Sequence, residues 1–438
     1  MRIVGAHILS QIIIIFFILN YLSFETLSND QITNDRCNYI YKIQFKGNYK
    51  TKPQIMLQEM LIQEGDAIDL QKIEISRQAI LDLGLFKTVN TQLIDHSIGK
   101  ILLITVEEKY FFLPFPRIGR SSDGDFYYGG KLEFNNLFGR NQTIETLYIK
   151  KKLQDSYLKN EQSMYFYYNY PRIMGRPYQF VFDFENKQSE LENTINDLTG
   201  VYIENNTHLS CILGYWLHHN GPSKGWQINS GIILDWKEYD YQKGSPDLYY
   251  DVNTIALIAG INYNAVNNLG YNQKGKYFKY QLACSLKALG SHINYNQHTL
   301  VFRYYYPLPG FSYTNFNFQF ISEYISSHYF DDSVFKLGSS STIRGYSRES
   351  IQGDMYMHLN MELLSPIGFN VLRGVLFTDI GNAYKTVKDI DMLDQKIGVG
   401  FGLRWKIKAL VRTDLRLDFA YGVQEDMCKI YIGAKAMF

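Results

Sequence analysis

From Tyr110 to the end of the chain, apolar and polar residues alternate with a period of two, the spacing that puts successive side chains on opposite faces of a strand. The clearest stretch is Ile397-Gly398-Val399-Gly400-Phe401-Gly402-Leu403-Arg404-Trp405-Lys406-Ile407. One face carries Ile, Val, Phe, Leu, Trp and Ile, and the other carries three Gly, then Arg and Lys. Leu415 to Phe419 and Met355 to Leu363 repeat the pattern, and no convincing amphipathic helix interrupts it. The segments run about 10 to 14 residues, longer than ordinary strands and close to a tilted membrane-crossing strand. Counting from Phe111 gives about sixteen of them. Tight turns at Asn136 to Gly139, Tyr170 to Arg172, Asn220 to Pro222, Pro307 to Gly310 and Ser365 to Gly368 alternate with longer polar loops near 186–200, 237–251, 327–353 and 381–394. Short turns on one side and long loops on the other predict a sixteen-stranded antiparallel transmembrane β-barrel over 110–438, within a mainly β fold. An even strand number returns the C-terminus to the side of the N-terminal domain.

Residues 38–109 follow a different rhythm. Tyr39 to Phe45 alternates as a strand and ends at the turn pair Gly47-Asn48. Thr51-Lys52-Pro53 reads as a helix start opening Gln54 to Ile62, and Asp69 can cap a second helix whose apolar stripe is Leu70, Ile73, Ile80, Leu81 and Leu83. Gly84 ends that helix, and two strands follow, Val89 to Ile94 and Ile101 to Glu107. The order is β-α-α-β-β, a small α/β domain ahead of the barrel. Ahead of it, Met1-Arg2 and the unbroken apolar run Ile12 to Leu19 predict a secretory signal peptide over 1–30, too short to span a bilayer as a helix.

Composition sharpens this reading. Lys and Arg number 44 against 43 Asp and Glu, so no net charge draws the chain to nucleic acid. Aromatic residues make up 16%, with 36 Tyr and 28 Phe, which suits the girdles where a barrel meets the membrane interface. A mean hydropathy of −0.22 excludes a helical membrane bundle but not a barrel, which faces lipid with alternate residues only. Cys37, Cys211, Cys284 and Cys428 are scattered, with no metal spacing and no disulfide framework. Gly221-Pro222-Ser223-Lys224-Gly225 matches the nucleophile elbow of hydrolases, but that motif needs a strand-to-helix turn, and here it falls between two alternating strands. His218-His219 beside it lacks further ligands. No catalytic residue, cofactor or metal is expected.

The small unit, with Gly47-Asn48 before its first helix and Leu83-Gly84-Leu85-Phe86 after its second, resembles a POTRA domain, the periplasmic module of outer-membrane assembly proteins. The longest loop, between the eleventh and twelfth expected strands, carries Leu337-Gly338-Ser339-Ser340-Ser341-Thr342-Ile343-Arg344-Gly345-Tyr346 and closes with Gly353-Asp354. It resembles the Val/Leu-Arg-Gly-Phe/Tyr loop of the BamA/TamA surface-antigen superfamily. Asn360-Met361-Glu362 with Ser365-Pro366, and Phe377-Thr378-Asp379-Ile380-Gly381-Asn382, are similar to family elements in the next two strands. Ser339, where relatives often have a second Gly, and Ile343, in place of Val, depart from the pattern. The terminal Phe438, on the apolar face with Ile430 and Ile432, resembles the closing strand of bacterial barrels.

Physical chemistry gives the loop its own logic. Glu362 and Asp379 fall on the polar parity of their strands and point into the lumen, where unpaired carboxylates are costly. Arg344 on an infolded loop can satisfy them in bidentate fashion, and Gly345 permits a tight tip. Ile343, Arg344, Gly345, Tyr346, Glu362 and Asp379 are therefore the expected loop lock. The seam between the first and last barrel strands is the second candidate site. Pro114 and Pro116 cannot donate to a ladder, Gly433 softens the partner strand, and Phe438 ends it. The resemblance implies a bacterial outer-membrane protein that inserts β-barrel proteins, or alternatively a translocator that secretes a passenger polypeptide through its lumen. The implied partners are unfolded outer-membrane proteins or a secreted polypeptide, the lipid bilayer, and periplasmic or lipoprotein accessory subunits.

Overall fold

The computed structural model describes residues 38–120, 126–153, 156–195, 198–218, 221–327, 334–407, 409–410 and 414–433. The expected leader at 1–30, Cys37, His219 and Phe438 lie outside them.

The small domain sets β1 (Ile40–Lys46) parallel to β3 (Gly99–Glu108), with β2 (Phe86–His96) antiparallel on the other side of β3. The second helix, Leu70–Asp82, begins where the Asp69 side chain accepts from the Lys72 N–H and buries Ile73, Ala79 and Ile80 on the sheet. Leu70, expected in the stripe, is exposed because it sits in the first turn, beyond the reach of the sheet. The first helix is shorter than expected, Pro53–Leu57 rather than reaching Ile62. Past Leu57 the chain straightens so that Met60 and Ile62 are both buried while the Leu61 N–H donates to Ser76 Oγ at 2.9 Å. A continued helix would have turned one of those side chains into water.

The larger sheet follows from the alternation. Its strands are β4 (Phe112–Arg120), β5 (Phe126–Leu137), β6 (Gln142–Lys152), β7 (Asn160–Tyr170), β8 (Tyr178–Ile195), β9 (Leu198–Trp216), β10 (Gly225–Gly244) and β11 (Val252–Asn264). The two-residue β12 (Asn267–Asn268) precedes β13 (Gln273–Ser285), β14 (Tyr295–Pro307) and β15 (Asn315–Ile325). A small hairpin, β16 (Phe335–Leu337) with β17 (Ile351–Gly353), stands apart before β18 (Met355–Ile367), β19 (Phe369–Tyr384), β20 (Lys396–Lys406), β21 (Asp414–Gly422) and β22 (Met427–Gly433). Each barrel strand pairs antiparallel with the next, and the order sets β22 beside β4. No residue-to-residue register across that last pair falls among the described residues.

Two expectations change here. Residues 186–195 and 198–200 are strand rather than loop: β8 and β9 stay in register to Ile195 opposite Leu198, and β10 follows β9 as far as Gly244. These strands are 18 to 20 residues long, so their polar outer halves are strand surrounded by water rather than connection. Their tip is held by Tyr202, 1% exposed, whose hydroxyl donates to Ser245 O, and by Tyr249 packed 5.0 Å from Tyr239. The expected turn Ser365 to Gly368 is almost all strand, since only Gly368 separates Ile367 from its partner Phe369.

The small domain meets four of the short turns and so defines one side of the sheet. Lys52 N–H donates to Gly139 O at 3.0 Å, and Asn136 Nδ2 to Thr51 Oγ1 at 2.8 Å. Glu59 pairs with Arg172 at 3.1 Å, both 2% exposed, and accepts from Ser223 Oγ at 2.8 Å. Asp82 pairs with Lys224 and accepts from the Asn268 N–H. Burial pushes the Glu59 carboxyl above the ordinary range, while Arg172 and Ser223 pull it back. The described part of the long loop, residues 334–353, and the long β8 to β10 tips lie on the opposite side.

Removing one member of a buried ion pair leaves the other charged and desolvated, at a cost of about 3 to 5 kcal/mol. Glu59→Ala is expected to undock this contact, and Glu59→Leu combined with Arg172→Met to recover part of the loss. Hydrogen exchange at residues 221–224 reads the docking, and a double variant looser than Glu59→Ala would contradict the pairing.

Candidate functional site

The loop between β15 and β18 turns back into the barrel because the β16–β17 hairpin fixes its base, Leu337 opposite Ile351. Leu337, Ile343, Tyr346 and Ile351 are all buried and form a small core inside the loop. That core rests against a wall with little side chain. Gly345 has φ +94°, and a Cβ there would lie 2.4 Å from Gly422 N; a Cβ on Gly398 would lie 2.0 Å from Arg344 O. Gly398 of β20 and Gly422 of β21 are thus the places where the loop backbone lies against the wall.

Arg344, fully buried, is the centre of the arrangement. Its Nε donates to Asp379 Oδ2 at 2.7 Å and its Nη2 to Oδ1 at 2.8 Å, a bidentate pair, and its backbone N–H adds a third bond at 3.0 Å. Its Nη1 donates to Glu362 Oε1 at 2.8 Å and Asp418 Oδ2 at 3.1 Å. The guanidinium carbon lies 3.4 Å from the Phe377 ring centre. Arg404 bridges Glu362, at 2.8 Å, and Asp418 from the other side, and Arg416 Nε stands 3.8 Å from Asp418. Three carboxylates therefore meet three guanidinium groups, and the buried cluster is charge-balanced. Asn360 Nδ2 ties the wall to the loop through Asp379 Oδ1 at 2.9 Å and Thr342 O at 2.7 Å.

Beyond the cluster the loop holds the last strands. The Gly345 N–H donates to Tyr431 Oη at 3.0 Å, and the Ile397 N–H to Tyr346 Oη at 3.0 Å. Ser347 donates through its N–H to Glu425 at 2.9 Å, and Lys429 reaches Ser347 Oγ at 3.2 Å. The structure thus brings together Ile343, Arg344, Gly345, Tyr346, Glu362 and Asp379. Arg404, Asp418, Asn360 and Tyr431 escaped sequence reasoning, although Arg404 and Asp418 are charged residues on the inward parity and carried that signal.

At the seam, Pro114 and Pro116 stand opposite Leu132 and Gly130 of β5. The Asn135 N–H donates to Phe111 O, so the odd residues of this strand point their backbone groups at β5, and the Tyr110 N–H points away, to Ala409 O. The even residues Pro114 and Pro116 hence present their missing donors on the side of β22. Gly433 stands opposite Arg416 of β21. Ser223 is engaged by Glu59 and Arg172 in a turn between strands, which is no nucleophile elbow.

A family profile described as the Omp85 superfamily domain matches residues 136–429, and a POTRA profile described as the surface antigen variable number repeat matches residues 38–109. The outer membrane protein assembly factor BamA of Neorickettsia risticii (strain Illinois) is 32% identical over 121 residues, which are 27% of this chain and only 16% of that relative's length. Among solved structures, BamA from Haemophilus ducreyi lacking POTRA domains 1–3 aligns over 92% of this chain and 85% of that one, at 15% identity and a TM-score of 0.53. CdiB from Escherichia coli aligns over 91% and 76%, at 13% identity and a TM-score of 0.63. CdiB from Acinetobacter baumannii aligns over 89% and 71%, at 14% identity and a TM-score of 0.59. At these identities the structural likeness carries the fold.

Arg344→Ala and Asp379→Ala should each release the loop at a cost of about 3 to 5 kcal/mol, with the double variant no worse than either single one. Arg344→Lys should restore little, since one ammonium cannot span the carboxylate as a fork does. Trypsin cleavage at exposed Arg348 measures the release, and additive losses would argue against a shared interaction.

Proposed function

Because the chain belongs to the Omp85 superfamily, outer-membrane β-barrel proteins with periplasmic POTRA domains, we propose that it is an assembly factor that inserts β-barrel proteins into the outer membrane. In this reading residues 38–109 receive unfolded outer-membrane proteins in the periplasm, with accessory subunits as further partners, and residues 110–438 close as a sixteen-strand barrel. The observation that carries it is the seam. Two prolines of one parity leave the β4 edge two donors short toward β22, and in this reading that pairing opens at lower cost than its neighbours. An open edge satisfies an incoming strand through backbone groups alone, and the work needs no cofactor.

The loop lock adds control. Arg344 fastens the loop to β19 and β21, while Gly345 and Ser347 fasten it to Tyr431, Glu425 and Lys429, on or beside β22. A docked loop therefore steadies the strand that must move. The second reading, a translocator that secretes a polypeptide through the lumen, draws on the polar chamber inside the barrel, lined by Arg303, Asn317 and Tyr277 among others.

A covalent seam separates the two readings. With Cys428 replaced by Ser, one cysteine at Ile118 and one between Lys429 and Ile432 are oxidised in the membrane. Insertion of client barrels is expected to stop and to return on reduction. Full activity with the seam locked would end the insertase reading and favour transport through the lumen.

A further inference from the structure

Inside the barrel, between the small domain and the loop cluster, lies a chamber of about 490 Å³. Asp82, Gly84 and Lys109 border it at the periplasmic end, and Glu362 and Arg404 at the other. Its volume is within the range of ordinary ligand sites. Its charge is uneven. Lys109, Arg303, Arg373, Arg404 and Lys406 line it, against the carboxylates Asp82, Glu362 and Asp414. Asp82 is held by Lys224, and Glu362 by Arg344 and Arg404.

Two of those cations are placed side by side. Arg373 on β19 and Arg404 on β20 are directly opposite one another in the sheet, at 7% and 3% exposure. Arg404 spends its terminal nitrogens on Glu362, Asp418 and Leu403 O. Arg373 spends its own on the carbonyls of Tyr271, Tyr313 and Leu364, at 3.0 to 3.3 Å, and meets no carboxylate within ion-pair distance among the described residues. The Nε–H of each guanidinium has no acceptor among them either. A buried guanidinium whose hydrogen bonds go only to carbonyls, beside a second one, with an unused donor on each, has room for a further acceptor.

We propose that the Arg373–Arg404 pair is the anion-binding end of this chamber and takes an oxyanion, with Lys406 and Arg303 adding to the positive field. The oxyanion can arrive as a free inorganic ion or as the carboxylate end of a polypeptide; both offer two or more acceptor oxygens to the guanidinium edges. The site does not depend on whether the barrel inserts proteins or transports them.

The test uses the full chain in lipid nanodiscs and equilibrium dialysis with radiolabelled inorganic phosphate at constant ionic strength. A short peptide with a free C-terminal carboxylate and its C-terminal amide serve as competitors. Both peptides are also labelled and dialysed on their own. Saturable binding near one phosphate per chain is expected, weakened at least tenfold by Arg373→Gln and less by Arg373→Lys. Displacement by the acid but not the amide, or binding of the acid peptide alone, identifies a polypeptide carboxylate as the ligand. Phosphate binding that neither peptide displaces identifies a free ion. Arg373→Gln also removes three bonds to backbone carbonyls, so Lys406→Gln, which leaves those bonds intact, is measured in parallel and should weaken binding severalfold. No saturable binding of phosphate or of either peptide, or wild-type binding by folded Arg373→Gln, would overturn the site. If Arg373→Gln does not fold, wild-type binding by Lys406→Gln would do so.

Discussion

A single guanidinium organises the carboxy-terminal half of this barrel. Arg344 enters the lumen on a loop and finds Asp379, Glu362 and Asp418 on three different strands, so one side chain fixes β18, β19 and β21 to the same point. None of these groups could be buried alone, because an unpaired charge in the lumen would cost several kcal/mol. Together with Arg404 and Arg416 they form a balanced set, and each member is the reason that another is tolerated. Gly398 and Gly422 follow from the same constraint: the loop backbone must lie against the wall for the arginine to reach.

Much of this was legible in the chain because period-two alternation is a strong signal when one face meets lipid. Arg344, Glu362 and Asp379 could be read because a motif fixed the loop and parity fixed the direction of the carboxylates. Asp418 and Arg404 were harder, since they meet each other through the register of β20 against β21, and Glu362 and Arg344 only once the barrel has folded. The outer halves of β8, β9 and β10 were misread for a physical reason. Beyond the bilayer both faces of a strand meet water, the alternation fades, and Asn, Glu and Ser look like a loop. The first helix was read too long because helical and extended spacing both bury residues such as Met60 and Ile62.

The small domain contributes a second kind of order. Glu59 and Arg172, and Asp82 with Lys224, are long-range pairs that tie a soluble α/β unit to the short turns of the barrel. Such turns would otherwise be the least constrained part of the sheet. Their docking gives the periplasmic rim a defined shape and, with the loop cluster above, encloses the chamber between two sets of ion pairs.

The three long strands carry a consequence for the cell surface. At about 3.4 Å per residue, a strand of this length runs roughly 60 to 70 Å, and after a tilt of about 35 to 45° it still rises well beyond an apolar band of about 25 Å. The tyrosine-braced tip of β8 to β10 therefore stands as a fin above the lipid, on one flank of the barrel only. Large molecules arriving from outside, such as antibodies or proteases, meet that fin before the rim.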